Sequence, residues 1–198
     1  MTDEDWRDPW KLGIPGHPTL RALHETLRSE IKHRWDRSLP FADELFDRWE
    51  RARFLGFGAG ASIYDSSVVI GDVRVGEETW VGPFTVLDGS GGLTIGRRCS
   101  ISAGVQLYSH DSIRWSLRDG AIPAERQRTN IGDNCYLGPM SVVSKGVTIG
   151  DHTVVGAHSF VREDIPPFRL AVGVPAKVVG RVELSAEGGV RFVSEQES

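Results

Sequence analysis

Residues 131–161 read IGDNCY-LGPMSV-VSKGVT-IGDHTV-VGAHSF-V. Broken into sixes, every block opens on an aliphatic: Ile131, Leu137, Val143, Ile149, Val155 and Val161. The same count runs upstream through Ile63, Val69, Val75, Val81 and Leu87. A slip of two residues within Asp88-Gly89-Ser90-Gly91-Gly92 moves it to Ile95, Ile101 and Leu107. Gly often follows the aliphatic, as at Gly76, Gly82, Gly96, Gly132, Gly138, Gly150 and Gly156. Four places after it stand small or β-branched residues, among them Ser67, Thr79, Thr85, Cys99, Val105, Cys135, Ser141, Thr153 and Ser159.

A period of six matches neither a helix nor an alternating strand, so it marks a repeat architecture. Three such units close one triangular coil, with the aliphatic inside, the small residue at the tight corner and Gly expected to supply the turn conformation. One coil cannot bury its own interior, so coils stack at strand spacing. The pattern predicts a mainly β fold, a left-handed parallel β-helix. Counted in threes, Leu107 falls above Leu87, and Cys99 and Cys135 share a column as stacked, structural thiols.

Around the coil the chain divides into an N-terminal arm and two helices (1–57), the β-helix (58–181) with an excursion at 108–130, and a C-terminal hairpin or tail (182–198). Residues 1–17 carry Trp6, Trp10 and two prolines without any period. One helix starts at Thr19, with Leu20, Leu23, Leu27, Ile31 and Trp35 on a stripe. After Ser38-Leu39-Pro40 a second presents Ala42, Leu45, Phe46 and Trp49 and ends near Gly56. These helices are expected to cap the first coil or to shape an acceptor pocket. His17, His24 and His33 read as ordinary surface or interhelical histidines. Pro166 and Pro167 are expected to stop the ladder, and residues 182–193 to form a hairpin.

The 198 residues carry a net charge of −4 with interspersed signs, which predicts no nucleic-acid partner. No run is long enough for a membrane span, and the acidic N-terminus lacks the apolar segment of a secretory signal. A cytoplasmic protein is expected. Two cysteines are too few for a disulfide framework.

The excursion opens with Ser109-His110-Asp111, continues through Arg114, Trp115 and Arg118, and returns through Glu125, Arg126 and Arg128. Loops that leave a solenoid commonly carry its function. The face count puts the Asp88 corner one coil from His110 and the Ser144-Lys145 corner one coil to the other side.

The repeats, the Ser-His-Asp excursion and the Gly173-Val174-Pro175-Ala176-Lys177-Val178 segment together resemble the hexapeptide acyltransferase superfamily, over about residues 63–181. Maltose and galactoside O-acetyltransferases and polysaccharide-cluster sugar acetyltransferases are the most similar branch. The resemblance implies a homotrimer with acetyl-CoA as co-substrate and no metal, acting on a sugar hydroxyl. By position His110 is the general base, a task that suits imidazole. Asp88, Asp111 or a backbone carbonyl is left to orient it. Pro139 and Ala157 match backbone positions lining the pantetheine, and Lys177 a basic residue near the nucleotide. Arg162 and Arg181 are expected to replace charges the relatives carry nearby. Arg114, Trp115 and Arg118 are candidates to meet a sugar or its phosphate.

Two departures from the relatives, Gly104 for asparagine and Asp111 for the proline after histidine, point to a different acceptor. Amino-sugar N-acetylation is the nearest alternative. A serine acetyltransferase is disfavoured because its Asp-Arg-His-Pro stretch is absent. A γ-carbonic-anhydrase-like zinc enzyme is disfavoured because His110 lacks histidine partners. A non-catalytic assembly prism is the remaining class.

Overall fold

The computed structural model describes residues 16–194, and these form two compact units divided between Asp47 and Arg48. The irregular arm expected for residues 1–17 lies, up to Pro15, outside the described residues. In the first unit α1 (His17–Trp35) packs on α2 (Phe41–Leu45). Of the α1 stripe, Leu27 and Ile31 are half-buried, while Leu20, Leu23 and Trp35 are exposed. The His24 ring meets Phe41 edge-on at 5.0 Å, and its Nε2 lies 3.2 Å from Glu44.

The single second helix expected to end near Gly56 is two helices. Phe46 turns extended (φ −104°, ψ 133°) and ends α2, and α3 (Arg48–Phe54) belongs to the second unit. Ala52 and Phe57 enter the core of the coil. Arg51 donates to the carbonyls of Tyr64 and Ser67, and Arg48 to the Tyr64 hydroxyl at 3.1 Å. Within the coil's own unit it is therefore α3 that is tied to the first turn.

The coil is a left-handed β-helix of short parallel strands in three faces. Strand register stacks Ile63, Val81, Ile101, Leu137, Val155 and Ala171 in one column. A second column holds Val69, Leu87, Leu107, Val143 and Val161. The third runs Val75, Ile95, Ile131, Ile149 and Ile165. The Gly58 N–H donates to Val75 O, so Phe57 heads that third column, an aromatic at the start of an aliphatic series.

The glycine that follows the aliphatic does not supply a turn conformation. None of the seven has a positive φ. What they meet is the next coil: a Cβ would lie 2.6 Å from Arg97 N at Gly76 and 2.5 Å from Ala157 N at Gly138. The left-handed residue comes two places later, as at Glu78, Phe84, Arg98, Asn134, Met140, His152 and His158, with φ between 53° and 60°. That conformation costs roughly 1–2 kcal/mol in an L-residue. A repeated hydrogen bond offsets it, as Arg98 N–H donates to Glu77 O and His158 N–H to Pro139 O.

The small residue has a repeated role at one corner. Thr79 Oγ1 donates to Gly96 O, Cys99 Sγ to Gly132 O, Cys135 Sγ to Gly150 O and Thr153 Oγ1 to Pro166 O. Both thiols are free and buried. The sulfur contact with Cys99 and then burial push the Cys135 thiol up.

The two prolines do not stop the ladder. Ile165 still bridges Ile149, and Arg169–Gly173 still pairs in parallel with Val154–Val155. The N–H after each aliphatic normally donates to the following coil. Pro166 stands on the last rung of its column, so its missing donor breaks nothing. Strand Ala176–Leu184 then folds back antiparallel and pairs with Val190–Ser194, crossing the boundary expected at 181/182.

Candidate active site

At the corner after the second column the coil departs from its period on two successive turns. Val68–Val75 pairs with Val86–Ile95, with Gly71 opposite Gly89 and Val73 opposite Leu93. The extra Ser90-Gly91-Gly92 is thereby forced out as a bulge against the single Asp72. On the next turn the chain leaves after Leu107 and rejoins at Thr129. Gly91 joins the two departures: its N–H donates to Ser109 Oγ at 2.8 Å, and a Cβ there would lie 2.3 Å from Ser109 O.

Inside this joint lies Asp88, fully buried. One carboxylate oxygen accepts from Ser90 N (3.0 Å) and Ser90 Oγ (2.5 Å). The other accepts from Ser109 N at 3.0 Å and lies 2.5 Å from His110 Nδ1. Burial alone would raise its pKa, but the hydrogen bonds from Ser90, His110 and Ser109 outweigh it and bring it down to about 2. An ionised carboxylate only accepts. Nδ1 is therefore the protonated nitrogen and Nε2 carries the lone pair. The ring is about one third exposed, so that lone pair belongs to a group open to solvent.

The excursion is not a bare loop. His110–Asp111 pairs antiparallel with Glu125–Arg126, making a two-stranded ribbon whose outer end carries α4 (Ile113–Leu117). Registered partners are His110 with Arg126 and Asp111 with Glu125, and side chains alternate between the two faces. On one face Lys145 Nζ reaches Asp111 Oδ2 at 2.5 Å and Glu125 Oε2 at 3.0 Å. Arg114 adds a 2.8 Å pair to Glu125. The hydrogen bonds to Asp111 and Glu125 raise the Lys145 pKa, and Lys145 in turn lowers that of Asp111. Of the two carboxylates left to orient His110, Asp111 is hydrogen-bonded to Lys145 and to Ile113 N rather than to the ring. Asp88 holds the ring.

The other candidates divide. Trp115 is exposed, with Gly120 folded against its indole, and Arg118 is exposed on the same turn. Pro139 and Ala157 are exposed on adjacent coils at the corner after the first column, a different corner from that of His110. Arg162 follows Val161 on the second column, beside Glu163 at 3.5 Å. Lys177 is exposed on the terminal sheet, and Arg181 pairs with Glu183 at 2.9 Å. His152 stacks on Phe168 at 4.7 Å. Ser90, Ser109 and Glu125 were the partners that sequence reasoning missed. The bulge after Asp88 and the residue before His110 were the available signals for the two serines. No groups of three or more His, Cys, Asp or Glu suited to hold a metal occur among the described residues, and no described helix is long and apolar enough to cross a membrane.

Residues 128–163 match the model of the bacterial transferase hexapeptide (six repeats). The chain is 48% identical over 52 residues to the galactoside O-acetyltransferase of Escherichia coli (strain K12), a stretch covering 26% of each chain. The aligned part is thus about a quarter of that relative's length. Over most of their lengths the likeness is structural. A hexapeptide-repeat acetyltransferase of Vibrio cholerae, solved with acetyl coenzyme A, superposes with a TM-score of 0.58 at 26% identity, covering 85% of this chain and 90% of that one. A galactoside acetyltransferase solved with coenzyme A gives 0.58 at 26% identity, covering 86% and 84%. By its repeat and its coil, this chain is similar to the hexapeptide-repeat acetyltransferases.

Proposed function

We propose that the protein transfers an acetyl group from acetyl-CoA to a hydroxyl of a sugar, with His110 as general base. The observation that carries this reading is the buried, ionised Asp88 holding His110 by Nδ1, so that Nε2 is an acceptor for a proton. Nε2 takes the proton of the acceptor hydroxyl as that oxygen attacks the thioester carbonyl. The C–O bond forms, the C–S bond breaks, and the imidazolium returns its proton to the departing CoA sulfur. A thioester is already activated, so no covalent enzyme intermediate is required.

Coenzyme A in two similar solved enzymes supports the donor, and the galactoside relatives support a sugar acceptor. Pro139, Ala157, Arg162, Lys177 and Arg181 are the proposed CoA contacts. Pro139 and Ala157 follow the first column and His110 the second, so one CoA reaching both is best served by two copies of the chain. This favours a homotrimer with sites between neighbours. A cytoplasmic location fits a reaction fed by acetyl-CoA. His110→Ala is the test: CoA binding persists and acetyl transfer falls by at least about 10²-fold. Undiminished transfer contradicts the assignment.

A further inference from the structure

The ribbon that carries His110 has two unlike faces. Asp111 and Glu125 occupy one, closed by Lys145. The other holds His110 and its registered partner Arg126, whose Cβ atoms are neighbours in such a pair. Arg126 is exposed, and among the described residues its side chain makes no hydrogen bond or ion pair. Of the other excursion arginines, Arg114 and Arg128 are engaged with Glu125 and Asp72, and Arg118 stands at the end of α4 rather than on the ribbon. The Arg126 side chain therefore shares a face of the ribbon with the His110 imidazole, with no acidic partner among the described residues, while Asp88, the carboxylate bonded to the ring, is fully buried.

We infer that Arg126 selects acceptors bearing a phosphate or carboxylate close to the hydroxyl that is acylated. This rests on His110 being the base. Arginine stays charged at all working pH values, and its fork matches either anion with two parallel hydrogen bonds. The phosphates of CoA do not fit the position, because a thioester placed at His110 holds them a whole pantetheine arm away. An anionic acceptor also offsets a cation that otherwise disfavours the imidazolium formed in the reaction.

The test uses the full-length protein with acetyl-CoA and three acceptors: methyl glucoside, glucose 1-phosphate and glucuronic acid. Wild-type and Arg126→Gln proteins are compared in transfer kinetics and, separately, in equilibrium binding of each acceptor to the CoA-loaded protein. The expected result is tighter binding and lower KM for one or both anionic acceptors. Arg126→Gln weakens these by about 10–100-fold and leaves the neutral sugar within twofold. Arg126→Lys restores part of the effect. The two anionic arms tell a phosphate site from a carboxylate site. Equal treatment of charged and neutral acceptors by the wild type, or equal loss of both in the variant, overturns the inference and leaves acyl transfer standing. Charge-selective binding that Arg126→Gln abolishes, without transfer to any of the three, upholds the anion site and counts against acyl transfer.

Discussion

The coil's interior and its second corner obey opposite rules. In the interior one solution recurs: an aliphatic stacks on an aliphatic, a small donor reaches the next coil's carbonyl, and the backbone rung repeats. At the corner after Leu87 and Leu107 the period breaks on two successive turns, and a carboxylate sits fully buried beside the column. Repetition secures stability because every coil finds the same partner. Function needs unlike groups at one place, and the solenoid provides that where the chain departs from its period.

The largest expected effect separates the two regions most sharply. Asp88→Asn removes the anion that sets the His110 tautomer, and transfer should fall by about 10²–10⁴-fold while the coil stays folded, as circular dichroism would report. Leu137→Ala makes the opposite change. It should lower unfolding free energy by about 2–5 kcal/mol in denaturant titrations, with turnover per folded molecule little altered.

Acid unfolding gives a third contrast. The carboxyl of Asp88 is lowered from near 3.8 to about 2 in the folded protein. Its contribution is therefore present above the unfolded value and is lost as pH falls through about 2. The stability gap between wild type and Asp88→Asn should shrink by roughly 2 kcal/mol from pH 5 to pH 2. A gap unchanged with pH would mean that Asp88 is not held ionised.

Two smaller effects sharpen the account of the glycines and the ribbon. Gly138→Ala forces a Cβ to 2.5 Å from backbone and should cost about 1–3 kcal/mol, whereas Met140→Gly, at φ 60°, should be near neutral. Lys145→Met frees the two carboxylates it bridges. It should reduce kcat several-fold with CoA affinity kept, and Lys145→Arg should recover part of the loss.

Much of this was legible in the sequence because stacking in phase is a one-dimensional rule. Counting by six puts Leu107 over Leu87 and brings Asp88, His110 and Lys145 to one edge. Phe57 escaped because the first rung admits an aromatic where later rungs hold aliphatics. The left-handed corner positions escaped because the residues there, from Glu78 to His158, share no chemistry and are stabilised by a backbone bond. The choice between Asp88 and Asp111 was invisible for another reason. It depends on how residues 110–111 pair with 125–126, and a ribbon closed across an aperiodic turn leaves no period to count.

The measurement that bears most directly on the account is nitrogen NMR of the His110 ring above its pKa, in the wild type and in Asp88→Asn. The proton should reside on Nδ1 and the lone pair on Nε2 in the wild type, with that preference lost in the variant. A wild-type ring protonated on Nε2 would leave it unable to act as the base and would contradict the account.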